Sequence, residues 1–262
     1  MQELLTTSEL AKACADDPMI IWAGQGFTPG VRAWYDGDAV AVASPELSKR
    51  DRLAVVGPVE DVARLVAKVY AEVGTTFRPF GEEHLIRHLV DRVPGLEFGA
   101  AFGWMDTRTA PTHQGGEPAG SHAQAAPQAD RGDGLVSAGG PAWLDGDDGV
   151  EALLKEAAPS SYAWPGHPAV RRWAAATGDR AELLSVAADA WSAPEIGFLA
   201  GVATRPVARG KGLAYRVCAF VTSELVKRHG QAGLMVDGDN AAAISVYRRL
   251  GYAYRPVAAA HM

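Results

Sequence analysis

Residues 196–225, IGFLAGVATRPVARGKGLAYRVCAFVTSEL, join an apolar run of strand length to a helix through a glycine turn. Leu213, Val217, Phe220, Val221 and Leu225 recur at three- to four-residue spacing, which marks a helix with one apolar face. A strand feeding directly into such a helix calls for a mixed α/β fold. Gly197 and Gly201 within the strand allow a bulge or the close approach of another backbone. At the turn, Gly210 and Gly212 carry no Cβ, so main-chain N–H groups can approach a ligand closely. A helix head adds unpaired N–H groups and a partial positive charge, Arg209 and Lys211 add full charges, and Ala214 keeps the first turn slim. Together these make a seat for a phosphate, beside the plainer alternative of a turn in which glycine serves geometry alone. A P-loop is excluded because Gly210-Lys211 is followed by Gly212 rather than Ser or Thr. A dinucleotide fingerprint is excluded because Tyr215 stands where its third glycine belongs.

Charge supports a small anionic ligand. The chain of 262 residues has a net charge of −6, yet residues 201–262 hold nine Lys/Arg against three acids. A local positive field in an acidic protein suits a polyanionic small molecule, and neither aromatic–basic interleaving nor a docking motif points to nucleic acid. Apolar residues make up 48% and charged residues 21%, which argues against wholesale disorder. No apolar run approaches the length of a membrane span, and the opening MQELLTTSEL lacks the basic-then-apolar order of a signal peptide. Cys14 and Cys218, the two cysteines, have no ligand-spaced partners; no metal site is expected, and a cytoplasmic setting is.

Along the chain, residues 107–142 are poor in large aliphatic side chains and are expected to be a flexible linker without chemistry, His113 and His122 included. It divides an N-terminal domain, 1–106, from a C-terminal domain, 143–262. In the latter, GVEALLKEAA is expected as a helix, VRRWAAAT and ELLSVAADAW as a strand hairpin, AGLMVD as a central strand and YAYRPVA as a closing strand. Asp239 or Asn240 can cap the helix between the last two, and Gly251 ends it. In the N-terminal domain SELAKACA reads as a helix, MIIWAG, VRAWYDG and DAVAVAS as strands, then LAVVG, the helix VEDVARLVAKVYAEV, TFRPF, the helix EEHLIRHLVDRV and LEFGAAFGW. Strand–helix–strand–helix–strand thus occurs twice, which suggests an internal repeat of fold.

Arg209, Gly212 and Ala214 fill the fixed positions of [QR]-x-x-G-x-[GA], and Asn240, Tyr247, Leu250, Gly251 and Tyr252 follow in the segment DNAAAISVYRRLGY. In these two ordered motifs residues 143–258 resemble the GNAT superfamily of N-acetyltransferases. The resemblance implies a central, mostly antiparallel sheet flanked by helices, in two tandem GNAT-like halves if the N-terminal half is a degenerate repeat. It implies acetyl-CoA as co-substrate and a small-molecule or protein amine as acceptor, with no metal. Backbone amides of Arg209, Gly210, Lys211, Gly212, Leu213 and Ala214 would hold the pyrophosphate. Val202, Ala203 and Thr204 would pair with the pantetheine arm, Asn240 would hydrogen-bond that arm or nearby backbone, and Tyr247 would protonate the leaving thiolate.

Asp189 and Glu195 are the candidate general bases, either of which could instead be a solvated turn carboxylate. Tyr162, Trp164 and His167 in the loop SSYAWPGHP are candidate acceptor contacts. Cys218 is expected in the core and the pair His84 and His88 at the surface. The N-terminal turn GPVED replaces glycines with a proline and two carboxylates, so this half is expected to have lost a cofactor seat. A non-catalytic CoA-binding module, or transfer of a longer acyl chain, stands as the alternative to acetyl transfer.

Overall fold

A computed structural model describes residues 1–111 and 140–262. Most of the expected linker, with His113 and His122, lies outside the described residues. In the N-terminal half β1 (Gln2–Leu4) is followed by α1 (Thr7–Ala13) and α2 (Pro18–Gly24). An antiparallel run of β2 (Arg32–Asp36), β3 (Ala39–Ser44) and β4 (Arg52–Val56) comes next. α3 (Val59–Val73) crosses over to β5 (Arg78–Glu82), parallel to β4, and α4 (Glu83–Val90) leads to β6 (Glu97–Thr107). The C-terminal half begins with β7 (Ala142–Trp143) and α5 (Val150–Ala157), then β8 (Val170–Thr177), β9 (Leu183–Ala190) and β10 (Gly197–Thr204). α6 (Leu213–His229) crosses to β11 (Ala232–Asp237), parallel to β10, and α7 (Ala241–Arg249) leads to β12 (Ala253–His261).

All twelve strands of the described residues form one sheet, in the order β1-β2-β3-β4-β5-β12-β6-β11-β10-β9-β8-β7. The sequence β4-α3-β5-α4-β6 is repeated as β10-α6-β11-α7-β12, so the fold is a mixed α/β sheet built from two like halves. Their last strands are exchanged. β12 lies between β5 and β6, and β6 lies between β12 and β11. The two pair antiparallel from Ala253↔Asp106 to His261↔Glu97, so each half completes its sheet with a strand of the other.

MIIWAG is not a strand. It forms α2, with Asp17 as N-cap accepting from the main-chain N–H of Met19 at 2.9 Å and Ile20 at 3.2 Å, and Pro18 in the first turn. Every residue from Met19 to Gly24 is buried. A helix apolar all round shows no helical periodicity, and a short apolar run cannot be assigned by pattern alone. The Asp-Pro pair ahead of it was the available signal. β1 and β7 were also not anticipated, being too short to show alternation.

The cores sit on both faces of the sheet. On β3 the side chains alternate, Val40 and Val42 entering one cluster and Ala39, Ala41 and Ala43 the other, where the small residues let α3 lie close. The first cluster crosses the boundary between halves. Trp22 of α2 stacks on Phe198 of β10 with centroids 4.5 Å apart, meets Trp104 of β6 at 5.4 Å, and donates Nε1–H to the Trp191 carbonyl at 2.8 Å. Cys218 is in the core under α6, where burial pushes its thiol up to about 12.

Candidate active site

β10 and β11 begin as a parallel pair, Gly197↔Ala232 and Phe198↔Gly233, and then part. The cause lies on the other side of β10. Its register with β9 shifts between Ala200 and Ala203, and Gly201 there has φ of +61°. A Cβ on Gly201 would stand 2.6 Å from Trp173 Cη2 and 3.0 Å from Ala163 Cβ, so only glycine fits. Such a bulge bends the strand. Beyond Phe198, β10 therefore turns away from β11 and leaves main-chain groups facing the gap without a strand partner among the described residues.

The gap opens into a cleft of about 650 Å³. Leu199, Ala200, Gly201 and Val202 line one side and Met235 to Asp237 the other, with Asn240 and Tyr247 of α7 beneath. Tyr247 is 7% exposed, its ring 6.0 Å from that of Tyr252, and its hydroxyl has no hydrogen-bond partner among the described residues. Burial above all, with Cys218 and Tyr252 nearby, raises its phenol well above the ordinary value. Asn240 caps α7, its side-chain oxygen accepting from the Ala243 N–H at 3.1 Å, which leaves its amide N–H₂ free.

At the far end of β10, Gly210 and Gly212 have φ of +77° and +74°. A Cβ built on either meets no atom within 4 Å, so the turn faces open space. Gly212 is the N-cap of α6, and no side chain caps that helix head. Arg209 is held back by the carbonyls of Thr204 and Ala157, both at 3.3 Å, while Lys211 is exposed. Residues 209–214 do not border the cleft proper. Leu213 is buried under α6, and Ala203 is buried, its carbonyl accepting from Ser185 Oγ at 3.1 Å. Thr204 Oγ1 lies 2.8 Å from the same hydroxyl.

Residues 178–259 match the family model described as FR47-like protein. The match lies wholly within the C-terminal half. The chain as a whole is similar to a GCN5-related N-acetyltransferase from Kribbella flavida, at 18% identity over 90% of this chain and 91% of that one, with a TM-score of 0.57. It is also similar to a GCN5-related N-acetyltransferase-like protein from Streptococcus suis, at 12% identity over 97% and 96%, TM-score 0.54. A GCN5-related N-acetyltransferase from Sphaerobacter thermophilus matches at 16% identity over 97% and 89%, TM-score 0.53. A search of curated proteins finds no match. The chain thus shares its fold with these solved structures, and the likeness extends across both halves.

The cleft does not include either expected base. Asp189 is fully buried, accepting from Ser192 Oγ at 2.6 Å, with Arg172 Nε 3.5 Å from its other oxygen. Ser192 in turn accepts from the Phe198 N–H at 2.7 Å, so this carboxylate ties the start of β10 to the end of β9. Glu195 precedes β10, at the end where β10 and β11 are still paired, and its carbonyl accepts from Gln231 Nε2 at 3.2 Å. Of the acceptor-loop candidates, Tyr162 lines the cleft. Trp164 donates to the Ser161 carbonyl at 2.6 Å and His167 accepts from the Ala169 N–H at 3.1 Å; neither lines it. His84 and His88 are exposed on α4, the former 3.3 Å from Glu82. Among the described residues no cluster of three metal-ligating side chains occurs, and no helix is long and apolar enough to cross a membrane.

Sequence reasoning missed the other half's contribution. Arg50, Arg52 and Arg78 line the cleft from the N-terminal side, and His261 lines it from the end of β12, its Nδ1 buried without a hydrogen-bond partner among the described residues. Each sits in a stretch that reads as ordinary strand or strand edge. No local pattern could have announced them.

Proposed function

We propose that the protein is an N-acyltransferase that moves an acetyl group from acetyl-CoA to a primary amine. The parting of β10 from β11 carries this proposal, because it gives unpaired main chain in a cleft lined by Tyr247, along a strand that leads to an uncapped helix head. The open glycine turn fits a diphosphate, and the amides of residues 209–214 would hold it. Val202 to Thr204 would pair with the pantetheine arm as an added strand, and the free amide of Asn240 would donate to it.

Bound acetyl-CoA supplies the activated thioester that the amine attacks. Main-chain N–H groups of β10 in the gap would stabilise negative charge growing on the carbonyl oxygen. Tyr247, kept protonated by burial, would donate its proton to the departing sulfur. The amine must lose a proton on the way, and we assign its uptake to His261, which faces the cleft where Asp189 and Glu195 do not. Residues 143–262 supply the transfer chemistry in this scheme, and residues 1–106 a wall of the acceptor cleft. Two buried free thiols, Cys14 and Cys218, suit a cytoplasmic enzyme.

The test is turnover of acetyl-CoA with Tyr247→Phe. The variant should lose about a hundredfold in kcat while keeping its affinity for acetyl-CoA. Because the phenol is raised above its ordinary value of 10, wild-type turnover should show no loss to tyrosine ionisation below that pH. Full turnover by the variant at every pH removes Tyr247 from the mechanism. Acetyl-CoA binding without turnover on any class of amine would make the protein a binding module.

A further inference from the structure

Arg52 is 8% exposed and has no counter-ion among the described residues. Its Nε donates to the Leu47 carbonyl at 2.9 Å and its guanidinium carbon lies 5.3 Å from the centre of the Phe80 ring, but its two Nη groups have no acceptor among the described residues. Arg78 stands directly opposite on the neighbouring strand, in the register pair Arg52↔Arg78. Arg50 is two residues away, and neither Arg50 nor Arg78 has a salt bridge or a side-chain hydrogen bond within the described residues. Like charges set side by side on a sheet repel, and a buried cation without a partner is costly. Burial lowers Arg52 to about 10, offset by Tyr162 across the cleft and reinforced by Arg50 and Arg78. Among the described residues Asp237 is the one acid lining the cleft, at the tip of β11.

The sheet order separates this cluster from the glycine turn. β11, β6 and β12 lie between β10 and β5, and steps of about 4.8 Å place Arg78 on β5 roughly 19 Å and Arg52 on β4 roughly 24 Å along the sheet from β10. They line the cleft, whereas residues 209–214 of the diphosphate seat do not. We infer that Arg52 and Arg78 bind a carboxylate on the acceptor, so that the substrate is an amine that also bears a carboxylate, with Arg50 at the rim. The planar guanidinium matches a carboxylate with paired N–H donors. This inference rests on the acyl-transfer reading of the cleft.

The experiment measures initial rates with acetyl-CoA and matched amines: L-lysine against cadaverine, L-phenylalanine against phenethylamine, then O-phosphoethanolamine and spermidine. At least one carboxylated amine should exceed its decarboxylated partner by about a hundredfold or more in kcat/KM, since a site built for a polar group rejects the analogue lacking it. Arg78→Gln should raise KM for the carboxylated amine about tenfold or more with kcat little changed, and leave KM for its partner in place. Arg52→Lys, which keeps the charge but not the fork, should do the same to a smaller degree. Acetyl-CoA affinity, read by calorimetry, should match wild type in both variants and shows that they are folded. Equal or better use of cadaverine or spermidine, a preference for O-phosphoethanolamine, or weakened acetyl-CoA binding in the variants would overturn the assignment. A wild-type chain that binds no acetyl-CoA would sink the acyl-transfer reading and this inference together, whereas binding with the acceptor preference reversed sinks this one alone.

Discussion

In the N-terminal half β4 and β5 pair at three positions, Arg52↔Arg78 to Ala54↔Phe80, and remain close just beyond them, where a Cβ on Gly81 would come within 2.6 Å of the Val55 carbonyl oxygen. In the C-terminal half the equivalent strands pair at two positions and then separate. The turns differ in the same sense. Gly57 is crowded, its Cβ position 2.5 Å from the Asp38 carbonyl oxygen, and Pro58 and the acids Glu60 and Asp61 begin α3. Those acids are engaged with cations, Glu60 with Arg92 at 2.6 Å and Asp61 with Arg64. Gly210 and Gly212 face open space ahead of a helix with no acid in its first turn. The shared topology sets where a site can form, and a handful of residues decide whether it opens. The closed half instead lends strand β6 and, at the near end of its sheet, a set of arginines.

The sharpest way to break this comparison is to close the open turn. Gly212→Glu places a side chain on a left-handed residue and a negative charge at the helix head, and should weaken CoA binding beyond measurement by calorimetry. Unchanged affinity would remove the turn from the site. Next is the bond between halves. Trp22→Ala empties a fully buried site stacked on Phe198 and should cost about 3–5 kcal/mol of stability in urea unfolding. With strands exchanged, the loss should appear in one transition shared by both halves, and two separate transitions would contradict the joint core. The smallest effect concerns the closed half. Pro58→Gly should leave CoA stoichiometry at one per chain, because paired strands and two acids still occupy the equivalent place; a second bound CoA would show that the turn alone made the difference.

Much of the C-terminal half was legible because its signals are local. AGLMVD is β11 to the residue, Asn240 caps α7, and Gly251 follows it with φ of +89°. The bulge admitted by Gly201 is present. α2 was illegible as a helix because burial on every side erases periodicity. Asp189 looked like a free carboxylate at a strand end, but the partners that bury it, Ser192 and Arg172, come from a turn and a neighbouring strand.

By itself the sequence determined the order of elements from α5 to β12, the glycine turn and the residues Asn240 and Tyr247 on one helix face. These follow from backbone freedom, capping and periodicity within a few residues. Tertiary structure alone decided that β6 and β12 change places, that Asp189 is sealed in and that Arg52, Arg78 and His261 meet in the cleft. Those outcomes depend on pairing between residues far apart in the chain, which no local pattern encodes.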